Sequence, residues 1–143
     1  MDDCTICKIA NQEIISYKIM ENKNYLAVLD KFPNVKGQTL VFPKKHSGSY
    51  FFDLNDNEYV ELMLFSKKVG KKIDGKLNSV RTCLVLEGME IDHVHVKLYP
   101  IHNVITNISD KIVNLNDYPG YLDTNHGKEA TNKELKNIYK LFI

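Results

Sequence analysis

Two histidines and a lysine alternate in His93-Val94-His95-Val96-Lys97, and Leu98-Tyr99-Pro100 follow directly. Side chains alternate faces along a β-strand. The spacing therefore predicts that His93, His95 and Lys97 project together while Val94, Val96 and Leu98 enter a core. Neighbours on such a face stand about 6–7 Å apart, and two imidazoles beside an ammonium suit an anionic, phosphate-bearing ligand. A neutral imidazole is also a nucleophile near pH 7 and can attack phosphorus. Taken alone, the pattern has three readings: a shared metal ion, an incidental pair of surface histidines, or an anion or nucleotide site. Lys97 favours the last, because an ammonium repels a divalent cation and attracts phosphate.

The elements that must position these groups are legible in outline. Ile14–Met20 and Tyr25–Leu29 read as paired strands around the polar turn Glu21-Asn22-Lys23-Asn24. Lys31 to Gly37 has the proline and glycine of a loop, and Thr39–Phe42 reads as a strand that Pro43 stops. Asn55 with Glu58 three residues later resembles a capping box, and Leu62, Phe65, Val69 and Ile73 then recur at helical spacing up to a stop at Gly75. Val80–Leu86 and Ile91–Leu98 read as neighbouring strands joined through Glu87-Gly88, and Thr131–Phe142 as a final helix. Residues 103–128 are polar and carry no assignable period. Strands, helix, strands and helix in that order predict an α+β domain on an antiparallel sheet.

Composition narrows the function classes. The chain has 143 residues, enough for one domain with its own core. Its 19 basic and 18 acidic residues provide no electrostatic footprint for nucleic acid, and no apolar run reaches membrane-spanning length. Met1-Asp2-Asp3-Cys4 lacks the basic and apolar regions of a signal peptide, so a cytoplasmic protein is expected. Three cysteines, an odd count, argue against a disulfide framework. Cys4 and Cys7 form a C-x-x-C whose spacing suits zinc or a redox pair, and nothing after Cys7 reads as the helix start a redox motif needs.

The run from Gly88 to Pro100 resembles the signature of the histidine triad (HIT) nucleotide-binding family, in which three alternating histidines follow a glycine-containing turn and precede a proline. Cys4-Thr5-Ile6-Cys7-Lys8-Ile9-Ala10 is similar to the family's opening segment. Leu26-Ala27-Val28-Leu29-Asp30 and Gly37-Gln38-Thr39-Leu40-Val41-Phe42-Pro43-Lys44-Lys45-His46 resemble its strand–loop–strand before the long helix. The likeness covers roughly residues 4–102. It implies a HIT-like fold: about five antiparallel strands, one main helix, a domain core over residues 1–105 and a C-terminal helical extension over 106–143.

The resemblance also implies chemistry. The middle histidine, here His95, attacks the α-phosphorus of a nucleotide and forms a nucleotidyl-histidine intermediate, which water or another acceptor resolves. His93 and Lys97 complete the catalytic set, Lys97 stabilising phosphate charge. Asp30 would accept hydrogen bonds from ribose. Ile6, Ile9, Val28 and Leu29 would line the base pocket, and Gln38 and Glu90 would lie on the nucleotide, Gln38 toward the phosphate. Some relatives close a structural zinc site with residues matching Cys4, Cys7, His46 and His93, so zinc is expected and no organic cofactor.

A purine nucleotide such as AMP or a dinucleoside polyphosphate is the expected partner, with adenosine phosphoramidate as the other substrate type, in a homodimer without nucleic acid or membrane.

The sequence departs from the pattern in three places. Lys97 replaces the third histidine, and a lysine at its reference pKa of about 10.4 is a poor proton donor at pH 7. Met89 stands where many members carry glutamine. Leu84 to Gly88 replaces an asparagine-containing loop. These changes keep a nucleotidyl transferase or phosphorylase, and a binding protein with little catalysis, beside the preferred hydrolase. A metal-dependent hydrolase using His93 and His95 as ligands is a more distant alternative. His102 and His126 read as surface residues, and Asp117-Tyr118-Pro119-Gly120-Tyr121 as a segment that covers either the pocket or a dimer edge.

Overall fold

Turn chemistry in the first third of the chain sets the sheet. The computed structural model describes residues 3–102 and 122–143. The side chain of Asn22 accepts hydrogen bonds from the backbone N–H groups of Asn24 and Tyr25, at 2.9 and 2.7 Å, and so turns β1 (Lys18–Glu21) into β2 (Tyr25–Leu29). β2 then pairs with β3 (Thr39–Pro43). The later strands β4 (Arg81–Val85) and β5 (Val96–Ile101) complete an antiparallel sheet in the order β1-β2-β3-β5-β4. The five strands are those expected of a HIT-like α+β fold.

Both faces of this sheet are covered, which is why β2 and β5 are buried along their whole lengths. One face receives α2 (Asp56–Leu77), whose buried stripe of Leu62, Phe65, Val69 and Ile73 joins Ala27, Val41, Val96 and Leu98 in the main core. The expected start of α2 is present, since the Asn55 side chain accepts from Glu58 N at 3.0 Å. Its end is not at Gly75. The helix continues to Leu77 and stops at Asn78 in the left-handed conformation. A mid-helix glycine costs about 1 kcal/mol relative to alanine, and the buried Ile73 and the core contact of Leu77 outweigh it. The other face carries a smaller cluster of Ile6, Leu26, Val28 and Phe42.

Three strands are shorter than expected, β4 losing only Val80 and Leu86 at its ends, and one α-helix was not foreseen. Ile14–Tyr17 lies outside β1, because the chain is still turning: Gln12 has φ 63° and Glu13 N donates to Lys8 O. The last strand begins at Val96 rather than Ile91. Upstream of it Ile91 N bonds Met89 O and His93 N bonds Ile91 O, tight turns that leave no strand-like ladder for His93 and His95. The unforeseen element is α1 (Thr5–Ala10), capped by the Cys4 side chain, which accepts from Cys7 N. The helix start that the sequence does not show after Cys7 is at Cys4 instead, and Cys7 lies inside the helix. At the other terminus Thr131 and Glu134 form a reciprocal capping box for α3 (Asn132–Tyr139), and Leu135 and Phe142 are buried in the main core.

Candidate functional site

On the α1 side of the sheet lies a cleft of about 650 Å³. Into it face Ile6 and Ile9 from α1, Val28 and Leu29 at the end of β2, Asp30 and Gln38 from the following loop, Glu90, His95 and Lys97. Every residue expected to touch a nucleotide is on this surface. His93 is not among the lining residues. It is fully buried and turned toward Cys4, Cys7, His46 and Phe42 on the same α1 side of the sheet, so the three side chains share one face, with Val94, Val96 and Leu98 in the main core, but only His95 and Lys97 reach the cleft.

His95 is 4% exposed, and its Nδ1 lies 2.7 Å from the carbonyl oxygen of His93. A carbonyl only accepts, so Nδ1 carries the proton and donates it. In the neutral ring Nε2 then has a bare lone pair. Burial lowers the His95 pKa from its ordinary value of 6.5. The bond to His93 opposes this and the nearby Lys97 charge adds to it, with a net downward shift. The geometry therefore yields a neutral, oriented imidazole at neutral pH, the form a nucleophile requires.

Lys97 follows on β5 and is 8% exposed. Its Nζ donates to Glu87 Oε1 at 2.5 Å and to the carbonyl of Thr124 at 3.0 Å, so two of its three N–H bonds are committed within the protein. Burial alone would raise the Glu87 carboxyl, but hydrogen bonds from Lys97 and Thr124 and the Lys97 charge hold it below the usual carboxylate range. In the sequence Glu87 is only part of a connection between two strands. It precedes a turn at Gly88, where φ is 67° and an added Cβ would meet Ser49 O at 2.7 Å.

Asp30 accepts from Phe32 N at 2.9 Å and from Gln38 Nε2 at 2.7 Å. Gln38 is 3% exposed, and its other end accepts from Asn34 N at 2.8 Å. Rather than reaching toward a phosphate, Gln38 holds the Asp30 carboxylate and ties the Lys31–Gly37 loop to it.

Beside the cleft, Cys4, Cys7, His46 and His93 bring four ligand atoms within 4.8 Å of one another. Cys4 Sγ and Cys7 Sγ each lie 3.5 Å from His93 Nδ1, and Cys7 Sγ lies 3.3 Å from His46 Nδ1. Tetrahedral zinc at ordinary bond lengths sets its ligands roughly 3.3–3.8 Å apart, so the donor set fits such an ion. His93 Nε2 donates to the carbonyl of Pro43 at 2.8 Å, which leaves Nδ1 unprotonated toward the sulfurs.

A stretch with no sequence signal crosses the mouth of the cleft. Gly127 N donates to Phe32 O, Ala130 N to Lys31 O, and Asn34 Nδ2 to the carbonyls of Asp123 and Asn125. Asn125 and His126 thereby join the cleft lining. His126, expected to be a plain surface residue, is half-exposed but stacks on Phe32 and pairs with Glu90. His102 donates from Nε2 to Lys36 O, away from the cleft. Asp117 to Tyr121 lies outside the described residues.

The downward shift of His95 fixes the sign of a pH effect. Below about pH 6.5 the unfolded chain binds a proton at this position more readily than the folded protein, so stability present above that pH is lost as pH falls. Chemical denaturation is predicted to show stability declining from pH 7 toward pH 5, with a shallower slope in His95→Gln. An unchanged slope in the variant would remove His95 as the cause.

A family model described as the HIT domain matches residues 11–104. An uncharacterized HIT-like protein of Borreliella burgdorferi is 37% identical over 106 residues, 70% of this chain and 76% of that one. An adenosine 5'-monophosphoramidase of Saccharomyces cerevisiae is 35% identical over 99 residues, 68% of this chain and 61% of that one. Among solved structures, a hypothetical histidine triad nucleotide-binding protein from Sulfolobus tokodaii superposes with a TM-score of 0.76 at 26% identity, covering 97% of this chain and 89% of that one. By domain match, relatives and fold, this chain belongs to the HIT family.

Proposed function

We propose that this protein is a nucleotide hydrolase that cleaves at the α-phosphate through a nucleotidyl-His95 intermediate. The observation that carries this reading is the bond from His95 Nδ1 to the His93 carbonyl, which directs a bare Nε2 into a cleft that also holds the Asp30 carboxylate. Nε2 attacks phosphorus, the bond to the leaving group breaks, and the leaving group takes the electron pair. Positive charge on the phosphorylated ring is shared with the His93 carbonyl through Nδ1–H. Water then attacks the same phosphorus, the P–N bond breaks, and its electron pair returns to Nε2. Asp30 accepts from ribose hydroxyls, and Lys97 offsets phosphate charge. Membership of the HIT family and the likeness to a relative named as an adenosine 5'-monophosphoramidase support an adenosine phosphoramidate or dinucleoside polyphosphate as substrate, with AMP as the released nucleotide.

A second reading, transfer of the nucleotidyl group to phosphate or another acceptor, is favoured by the engagement of Lys97 with Glu87. It would show as phosphate-dependent product. We also assign residues 1–105 to the domain core and 106–143 to an extension, supported by the burial of Leu135 and Phe142 in the main core. Two copies pair through the exposed Val60 and Leu64 of α2 and the edge strand β4. Among the described residues no helix is long and apolar enough to cross a membrane, and a cytoplasmic site of action is consistent with that.

Zinc held by Cys4, Cys7, His46 and His93 would be structural, joining α1, the end of β3 and the segment before β5 in a closed four-ligand set.

Intact-protein mass spectrometry after brief mixing with adenosine phosphoramidate or diadenosine polyphosphate is predicted to show a nucleotidyl adduct or released AMP, both lost in His95→Ala. Adduct or turnover persisting in that variant would contradict the mechanism. Elemental analysis of protein purified from zinc-replete medium should give about one zinc per chain, falling steeply in Cys7→Ser. A metal-free wild type would overturn the zinc assignment.

A further inference from the structure

One acid–base side chain on the cleft has no role in the reaction as written so far. His126 lies on the chain segment that crosses the cleft mouth, two residues after Thr124, whose carbonyl receives Lys97. Its ring stacks almost parallel on Phe32, with centroids 4.9 Å apart and planes inclined by 8°, and its Nε2 lies 2.7 Å from Glu90 Oε2. Those two contacts leave Nδ1 as the remaining edge of the imidazole. Glu90 is itself held in the left-handed region, with φ 72°, a conformation disfavoured for a residue with a Cβ. The segment is closely seated: an added Cβ at Gly127 would fall 2.1 Å from Pro33 O, beside the Gly127 N–H bond to Phe32 O.

The chemistry leaves an opening for this group. Departure of an amine or alkoxide from phosphorus needs a proton, and His95 cannot supply it while its Nδ1–H is bonded to the His93 carbonyl. Lys97 is tied by Glu87 and Thr124, Lys31 by Glu129, and Asp30 accepts from Phe32 and Gln38. An imidazole is the side chain suited to give and regain a proton near neutral pH.

We propose that His126, oriented by Glu90 and Phe32, is the acid that protonates the leaving group. The inference rests on the hydrolase reading above. As the bond from phosphorus to the leaving atom breaks, that atom receives the electron pair, and the Nδ1 proton of the His126 imidazolium passes to it. His126 is left neutral. In the second step neutral Nδ1 takes a proton from the attacking water while the P–N bond to His95 breaks, which restores both histidines. Glu90 stabilises the charged imidazolium through Nε2–H, as a carboxylate orients an imidazole in acyl-transfer sites. His126 is thereby the proton donor that Lys97 in the third motif position does not provide.

The test compares two substrates that differ in their need for a proton. An N-alkyl adenosine phosphoramidate must protonate its amine, whereas the 4-nitrophenyl ester of AMP expels a stable phenolate. In His126→Gln, which keeps an N–H donor for Glu90 at a half-exposed position, kcat on the amide is predicted to fall about 100-fold or more, with the ester changed less than about threefold. Equal losses on both substrates, or no loss on either, would overturn the assignment. A wild type inert toward both would instead overturn the hydrolase reading itself, and the inference with it.

Discussion

The hydrogen bond between His95 Nδ1 and the His93 carbonyl ties together the chemistry of the cleft and the packing beneath it. It can form because residues 89–93 turn tightly instead of entering the ladder, so the His93 carbonyl has no strand partner and faces the next imidazole but one. The His93 side chain lies on the same face of the sheet but serves a different task. One imidazole faces two sulfurs and a second histidine, and the other faces the cleft. Val94 between them is fully buried and anchors the arrangement in the main core. Burial then acts on both rings in the same direction and favours their neutral forms.

Electrostatics at the far end of the cleft differ from what three alternating histidines would provide. Lys97 introduces a permanent charge, and Glu87 meets it at 2.5 Å, so the pair is close to neutral as a unit. Glu90 and Asp30 add carboxylates to the same surface. On the proposed reading such a site would hold phosphate less by net charge than by placed donors.

Elements with local periodicity were legible in the sequence. The stripe from Leu62 to Ile73, the cap at Asn55 and the apolar run of β2 all depend on residues near one another in the chain, and the structure carries them. Asp30, His95 and the apolar lining were named through likeness to a family, and the fold brings them to one cleft. What stayed hidden depends on distant partners. The start of β5 follows from turns that no hydrophobic pattern reports, and α2 outruns Gly75 because of core contacts. Gln38 was aimed at phosphate because its bond to Asp30 cannot be read from composition. His126 meets Glu90 and Phe32 across separations of 36 and 94 positions, with only the following Gly127 as a faint trace.

The central claim is that His95 is neutral at pH 7, with its proton on Nδ1 and a bare Nε2 in the cleft. Nitrogen-15 NMR of protein labelled at histidine, with His95 assigned through His95→Gln, measures this directly. The account predicts a protonated Nδ1 and an unprotonated Nε2 at pH 7. An imidazolium, or a neutral ring with its proton on Nε2, would contradict it.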